Sequence, residues 1–474
     1  MINPTSSQKS IWRLSISERR TILLIGDLLA NIIALLIALY FWAQQDAWLN
    51  FSWEFLSTRP PFWFFLLPLF TATLMTELYD IKKAGILVEN VKGIALAGLV
   101  SALIYLVIYF SSDPTSLPRI GIAVYLIASV IFLLIWRAIY VRIFQAPRFM
   151  RRVLVVGAGT SGSILVSKFL EVWPPPFYLV GLIDDDPEKK NTLVEKYPVI
   201  GNSQAIKGII ESEQITDLVI AISGPMNGEL VKVLLNASEN NIRILSMEVV
   251  YEELTGRVPI FLLPSDWVLR TFAEQADVSG GYLIFKRLMD IFGGLVGCLG
   301  LALLTPFISL AILIESGRPV FFSQNRLGMN GKPYKIVKFR TMRQDAEKDG
   351  VARTATRNDD RTTRIGRLLR KTHLDEIPQF WSVLKGSVSL VGPRAERPEL
   401  VADYQNSIPF YRARLFVKPG LTGWAQINQR YAENTEETAV KLEYDLYYIK
   451  KRNILLDVFI LLRTVSTVIQ LRGQ

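Results

Sequence analysis

Two carboxylates stand side by side at Asp375 and Glu376, inside the stretch Arg364-Ile-Gly-Arg-Leu-Leu-Arg-Lys-Thr-His-Leu-Asp-Glu-Ile-Pro-Gln, which runs on to Leu390-Val-Gly-Pro-Arg394. Arg364, Arg367, Arg370 and Lys371 precede the pair and Arg394 follows it. Adjacent acids beside a cationic cluster suit a site that handles anions together with a divalent metal. An isolated Asp-Glu pair is ordinarily a capped helix with solvated charges, and the surrounding cations separate this one from that reading. Pro378 fits the first position of a helix, where its missing N–H costs nothing. The helix is predicted to run through Gln379-Phe-Trp-Ser-Val-Leu to a stop at Gly386. Asp375 and Glu376 then sit at or just before a helix N-terminus, where backbone N–H groups favour phosphate.

The rest of the composition narrows the class. A length of 474 residues allows two to four domains, and half of the residues are hydrophobic. The one cysteine, Cys298, excludes an internal disulfide framework, and the one histidine, His373, argues against zinc. A metal here is expected to be hard and oxygen-bound, with Mg²⁺ the obvious candidate. Net charge is +10, and from Gly317 to Gln474 there are 28 Lys and Arg against 16 Asp and Glu. That balance suits anionic headgroups and phosphorylated substrates. No nucleic-acid motif accompanies it, so nucleic acid is not expected as a partner.

Six ordered words share about 100 residues. They are Gln324-Asn-Arg326-Leu-Gly328, Lys338-Phe-Arg340-Thr-Met342, Asp360-Arg-Thr-Thr-Arg364-Ile-Gly366, Arg370-Lys-Thr-His-Leu-Asp375-Glu376-Ile-Pro378-Gln379, Ser389-Leu-Val-Gly-Pro393-Arg394 and Lys418-Pro-Gly-Leu-Thr-Gly423. From roughly Leu283 to the C-terminus the chain resembles the bacterial sugar transferases, the polyprenyl-phosphate glycosyl-1-phosphate transferases. The remainder looks like the front half of the family's long members. Two departures stand out. His373 lies where the family commonly has Ser or Thr, and Ala395 where a Pro commonly follows the arginine.

The elements that must position these words read as follows. Residues 1–20 form a basic N-terminal segment expected in the cytoplasm. Four apolar segments follow within 21–147, at about Thr21–Trp42, Pro61–Tyr79, Val91–Phe110 and Ile120–Phe144, each long enough to cross ~30 Å of hydrocarbon. Lys82, Lys83 and Lys92, then Arg142, Arg148, Arg151 and Arg152, put both ends of this bundle on the cytoplasmic side by the positive-inside rule. Asp27 and Arg137 fall within the spans and are read as structural. Residues 150–250 give a Rossmann-like α/β domain. The strand entering Gly157-Ala-Gly159-Thr-Ser-Gly162 and the acid Asp184 after Tyr178–Ile183 are its candidate nucleotide fingerprint. Further strands are expected at Leu218–Ile222 and Arg243–Met247. A linker is expected over 251–282, and then a mainly α, monotopic catalytic domain over 283–474. Its apolar start, about 287–316, is read as a re-entrant membrane helix broken at Thr305 and Pro306.

The resemblance implies a reaction: transfer of a sugar-1-phosphate from a UDP-sugar to undecaprenyl phosphate with release of UMP, at a bacterial inner membrane, for surface polysaccharide. It implies Asp375 as nucleophile, Glu376 with Asp375 as ligands of Mg²⁺, Lys338, Arg370 and Arg394 on phosphates, and Arg430 near the nucleotide. A lipid bilayer is the surrounding partner and a homodimer fits the architecture. Two alternatives remain open at this point. One is a membrane nucleotide-sugar dehydratase, for which Tyr447 and Lys451 have the right spacing but no second glycine fingerprint precedes them. The other is a nucleotide-sensing scaffold for polysaccharide export, which leaves Asp375 and Glu376 unexplained.

Overall fold

A computed structural model of the chain describes residues 16–45, 48–79, 81–111, 119–144, 150–222, 224–274, 280–343, 361–429 and 434–469. It divides into two compact units, Met1–Thr255 and Gly256–Gln474.

The first unit begins with a helical bundle: α1 (Ile16–Ala43), α2 (Trp53–Thr58), α3 (Leu67–Leu74), α4 (Ile81–Ala84), α5 (Leu87–Ser111) and α6 (Arg119–Phe144). In α1, α5 and α6, apolar runs of 26, 20 and 25 residues are long enough to cross a membrane. The expected second span, Pro61–Tyr79, is not one such helix. It divides into a 3₁₀ turn (Phe62–Leu66), α3 and another 3₁₀ turn (Thr76–Tyr79). Pro68 explains the first change, because without an N–H it cannot continue the ladder from the turn before it. Polar side chains fasten the bundle. Arg137, fully buried, grips Asp27 with Nη2 at 2.5 Å and Nε at 3.1 Å. Its Nη1 donates to the Leu78 carbonyl at 3.0 Å and to Asn90 Oδ1 at 2.9 Å. A second group joins Asn31, Ser129, Tyr125 and Thr71. Each donor of the Arg137 fork except one N–H position is thus engaged by its neighbours, as a structural role requires.

The second half of this unit is a six-stranded sheet in the order β3-β4-β2-β1-β5-β6. Its strands are β1 (Arg152–Val156), β2 (Tyr178–Ile183), β3 (Leu193–Val194), β4 (Tyr197–Gly201), β5 (Asp217–Ile220) and β6 (Arg243–Ser246). All pairs are parallel except β3 with β4. Helices α7 (Thr160–Leu170), α8 (Ile206–Glu213), α9 (Gly228–Glu239) and α10 (Met247–Thr255) connect or follow the strands. Val153, Leu154, Val155 and Val156 are all buried, which is why β1 reads as an unbroken apolar run. Arg151, one of the cations used to orient the bundle, is buried on Asp217 at 2.9 Å and is not a free surface charge.

The expected linker is largely structured. Residues up to Thr255 are helical in the first unit, and α11 (Trp267–Glu274) lies in the second. Val258 and Ile260 are buried in the second unit's core, and the Gly256 carbonyl accepts from Trp424 Nε1 at 2.8 Å. The weak periodicity hid this because single apolar residues, not a stripe, enter the core.

The second unit is led by α12, Gly280–Ser316. The expected break at Thr305 and Pro306 leaves no gap in the helix. The helical run continues through Pro306, and Thr305 Oγ1 donates to the Leu301 carbonyl at 2.6 Å. Both halves of α12 are held by the same unit. Lys286 Nζ reaches Asp457 at 2.9 Å, and Asp290 Oδ1 accepts from Leu390 N at 2.8 Å. Gly297 leaves no room for a side chain, since a Cβ would lie 2.1 Å from the Phe380 ring. Farther on, Ile308 and Ile312 join Phe339 and Leu369 in a second small core. The outer face is apolar and exposed, including Phe292, Leu299, Phe307 and Ile314. Only 11% of its apolar window is buried, against 44% for α1. With α1, α5 and α6 it makes four helices, among the described residues, that are long and apolar enough to cross a membrane, and they mark a membrane protein.

After α12 comes an antiparallel hairpin, β7 (Phe321–Leu327) and β8 (Pro333–Phe339), which the expectation of a mainly α domain did not include. Then follow α13 (Arg364–Lys371), a 3₁₀ helix (Leu374–Gln379), α14 (Phe380–Lys385), β9 (Ser389–Val391), α15 (Pro398–Ser407), β10 (Gly420–Thr422), α16 (Trp424–Asn428), α17 (Thr435–Lys451) and α18 (Ile454–Ile469). β9 and β10 pair in parallel, and α17 buries Leu442, Leu446 and Ile449 in the main core.

Candidate active site

The carboxylate pair is delivered by a short, heavily capped run. Thr363 Oγ1 accepts from Gly366 N at 2.9 Å to start α13, and Glu315 of α12 accepts from the N–H groups of Arg364 and Ile365 at 2.6 and 2.8 Å. Gly366 is needed for contact, because a Cβ would lie 2.1 Å from the Thr341 carbonyl oxygen. The chain then turns at His373, which has a left-handed φ of 56°. The 3₁₀ helix begins at Leu374, so Asp375 and Glu376 occupy its first turn and Pro378 lies inside it. Pro378 is therefore not the first helical residue, but the placement of both acids at a helix start stands. The predicted stop holds: Gly386 has φ 86°, and Arg287 caps the Val383 and Leu384 carbonyls at 3.0 and 2.7 Å.

Two of the expected cations converge on Glu376. Lys338 Nζ and Arg394 Nη2 each lie 2.5 Å from its Oε1, and Arg394 Nη1 donates to Oε2 at 3.3 Å. Arg370 is held differently, by Thr341 Oγ1 at 3.0 Å and Thr362 Oγ1 at 3.4 Å, and from there its charge acts on Asp375. Asp375 is buried, and its carboxylate takes no hydrogen bond among the described residues. Arg430 lies outside the described residues.

The two acids are driven apart electrostatically. Burial, then the charge of Glu376, pushes the Asp375 carboxyl above its ordinary value against the pull of Lys338, Arg394 and Arg370. Burial also opposes ionisation of Glu376, but the Arg394 and Lys338 charges outweigh it and hold that carboxyl well below the usual range. Lys338 itself is lowered by burial, only partly offset by Glu376. The site thus holds one firmly ionised, cation-bound carboxylate beside one that is unpaired.

A second charge cluster holds the segment that carries Arg394. Arg414 Nη2 donates to the Arg394 carbonyl at 3.0 Å and to Asp445 at 2.7 Å. Glu396 meets Lys441 at 2.6 Å and Arg414 at 3.4 Å. Burial raises the Glu396 pKa, but Lys441 and Arg414 bring it down to about 2. Glu396, Arg414, Lys441 and Asp445 were not singled out from the sequence, because their partners lie 18 to 45 positions apart. Thr341, 29 positions from the Arg370 it aims, was missed for the same reason, whereas Thr362, 8 positions away, has nothing in its spacing to mark it.

The donor set bears on a metal. Asp375 and Glu376 offer hard oxygen ligands, and no group of three or more His, Cys, Asp or Glu side chains gathers among the described residues. That set fits an ion such as Mg²⁺ shared with a ligand's phosphates, not an all-protein cage.

Residues 281–471 match the bacterial sugar transferase family, and residues 75–247 match a CoA-binding domain family. A UDP-glucose:undecaprenyl-phosphate glucose-1-phosphate transferase of Escherichia coli (strain K12) is 33% identical over 329 residues, 66% of this chain and 67% of that protein. The chain belongs to the bacterial sugar transferase family. A UDP-N-acetylgalactosamine-undecaprenyl-phosphate N-acetylgalactosaminephosphotransferase of Aeromonas hydrophila is 38% identical over 245 residues, 51% of this chain and 56% of that protein. An exopolysaccharide production protein of Rhizobium leguminosarum bv. phaseoli is 40% identical over 189 residues, 39% of this chain and 94% of that protein. The chain therefore spans little more than half the length of the Aeromonas relative and two thirds of the Escherichia one.

As a bacterial sugar transferase, the chain carries its carboxylate pair and all four expected cations within the matched segment, and three of those cations are among the described residues. The Tyr447 and Lys451 spacing has a plainer use, since the Tyr447 ring stacks on Trp424 with centroids 5.5 Å apart. In the Rossmann-like domain, Gly157 has φ 110° and Gly162 packs against the Gly157 carbonyl, where a Cβ would come within 2.1 Å. Gly159 has open space around its α-carbon. Asp184 turns into this loop: its Oδ2 accepts from Ala158 N at 2.7 Å and from Lys189 Nζ at 3.2 Å. One backbone donor that a nucleotide phosphate would use is thereby taken by the protein's own carboxylate.

Proposed function

We propose that this sugar transferase moves a sugar-1-phosphate from a UDP-sugar to undecaprenyl phosphate and releases UMP, as a membrane step of surface polysaccharide synthesis. The Escherichia and Aeromonas relatives are named for UDP-glucose and UDP-N-acetylgalactosamine, which supports a hexose or N-acetylhexosamine as the donor. The observation that carries the reading is the unpaired Asp375 carboxylate beside Glu376, Lys338 and Arg394.

The chemistry runs in two steps. An Asp375 carboxylate oxygen attacks the β-phosphorus of the UDP-sugar, and the bond from that phosphorus to the bridging oxygen breaks with UMP leaving. A phosphate oxygen of undecaprenyl phosphate then attacks the same phosphorus. The acyl phosphate bond breaks, the lipid diphosphate sugar forms, and the Asp375 carboxylate is restored. Lys338, Arg370 and Arg394 offset the charge of the two phosphates that meet here. Mg²⁺, held by Glu376 and Asp375 with substrate phosphates, would supply further charge neutralisation when bound.

The apolar outer face of α12 is the lipid-facing element in this reading. The helix enters one leaflet, bends at Thr305 and Pro306 and returns, keeping the catalytic unit on the cytoplasmic side of the inner membrane. What supports this is that residues near both ends of a helix of ~55 Å contour are held by one compact unit: Lys286 and Asp290 at one end, Ile312 and Glu315 at the other. In a Cys298→Ser background, single cysteines at Gly281 and Glu315 should react with a membrane-impermeant thiol reagent from the same side. Labelling from opposite sides would sink the re-entrant reading.

The deciding assay is UMP release by the detergent-solubilised chain with Mg²⁺, undecaprenyl phosphate and a panel of UDP-sugars. Release from one donor, dependent on the lipid phosphate, is expected. Absence of release from every donor would overturn the proposal.

A further inference from the structure

The charged run Lys286-Arg287-Leu-Met-Asp290 lies near the start of α12 and takes no part in the transfer chemistry above. Its side chains end on the two elements whose residues meet at Glu376. Arg287 donates to the Val383 and Leu384 carbonyls near the end of α14, which continues directly from the 3₁₀ helix that carries Asp375 and Glu376. Lys286 and Asp290, four positions apart and so on one face of the helix, end on β9. Lys286 Nζ donates to the Val391 carbonyl at 3.0 Å as well as to Asp457. Asp290 Oδ1 accepts from Leu390 N at 2.8 Å and from Ser389 Oγ at 2.9 Å.

β9 has a strand on one edge only, β10. On that edge Ser389 N donates to the Pro419 carbonyl at 2.8 Å, Gly392 N to the Thr422 carbonyl at 2.9 Å, and the Pro393 carbonyl accepts from Gly420 N at 2.9 Å. Ser389, Leu390, Val391 and Asp290 are all buried, so the other edge needs its partners from the protein. Side chains of α12 stand there in place of a strand. The chain is thus held as far as Pro393, and the next residue is Arg394, whose guanidinium meets Glu376 at 2.5 and 3.3 Å. One turn of α12 therefore registers β9 against α14 and the 3₁₀ helix, and with them Arg394 against Glu376.

We infer that Asp290 is a positioning residue for Arg394: by accepting from Ser389 and Leu390 it fixes β9 and holds the Arg394 guanidinium on Glu376. The inference rests on the transfer reading, which gives Arg394 its task at phosphate, and deepens it by tying that task to the apolar helix. Asp290 works through one accepting oxygen, so its charge is not what the role requires. A misplacement of ~1 Å at a group that meets developing charge can cost about a hundredfold in rate.

The test measures UMP release by the full-length chain in detergent, with thermal unfolding of every variant as the control for folding. Asp290→Asn keeps the accepting oxygen, drops the charge and should stay close to the unaltered chain. Asp290→Leu removes the acceptor, and kcat/KM should fall about ten- to a hundredfold. The cycle with Arg394→Gln separates positioning from general support of the fold. With no guanidinium left to misplace, Asp290→Leu should cost at most about twofold more, the ordinary limit of additivity. Ser389→Ala removes only one of the two donors to Asp290. It should show the same pattern on a smaller scale, and it decides the matter if Asp290→Leu does not fold. Equal losses in the Asn and Leu variants, full activity in the Leu variant, or an undiminished further loss beside Arg394→Gln would each overturn the inference and leave the transfer reading standing. If the unaltered chain released UMP from no donor, the transfer reading would fall and take this role with it.

Discussion

Asp375→Asn abolishes UMP release, by ~10⁴-fold or more on the scale seen when a covalent nucleophile is removed, and leaves the chain folded. The argument for both halves comes from the same geometry. An amide of the same shape cannot attack phosphorus to form an acyl phosphate, and Glu376, the neighbouring carboxylate, is bound by Lys338 and Arg394 at 2.5 Å. Glu376 is therefore poorly placed to substitute. Stability should hold or rise, because the Asp375 carboxylate gives up no hydrogen bond among the described residues and its ionised form is opposed by burial and by Glu376. Thermal unfolding in detergent and UMP release on the same preparation make the check. Activity retained in the folded variant would end the covalent mechanism. Joint loss of activity and folding would show that Asp375 is structural.

What the sequence made legible follows the range of each interaction. Asp375, Glu376 and Gly386 could be placed because helix starts and stops are local: a turn, a cap and a left-handed glycine lie within a few residues of one another. The parallel sheet was legible because strands buried on both faces, such as β1, are apolar without interruption. The hairpin β7–β8 was not, since Phe321-Phe-Ser-Gln-Asn-Arg-Leu327 mixes apolar and polar residues with no period and leaves much of itself exposed. The convergence on Glu376 was equally hidden. Lys338 comes from 38 residues away and Arg394 from 18, on separate elements. Nothing in their spacing distinguishes them from Arg370, which the fold ties to two threonines instead. The second membrane segment misled for a related reason: hydropathy averages over Pro68, whereas hydrogen bonding does not.

Arg137→Leu is expected to destabilise the membrane bundle by about 3–5 kcal/mol, the usual cost of stranding one partner of a buried ion pair. Asp27 would keep its charge or a proton in a fully buried position, and Asn90 and the Leu78 carbonyl would each lose a donor. The double variant Asp27→Leu/Arg137→Leu should recover most of the loss, because two apolar side chains of suitable volume can replace an ion pair that was already cut off from solvent. Thermal unfolding of the three proteins in one detergent reads the cycle, and equal stability of Arg137→Leu and the unaltered chain would refute the structural role. UMP release by the double variant answers the separate question that an intramembrane charge always raises. A pair that only fastens α1 to α6 leaves catalysis in the second unit intact once stability returns. A pair on a transport path would leave the double variant stable and the coupled activity lost. The fork of hydrogen bonds around Arg137 favours the first outcome: a side chain held by Asp27, Asn90 and a backbone carbonyl at 2.5 to 3.1 Å is built to stay where it is.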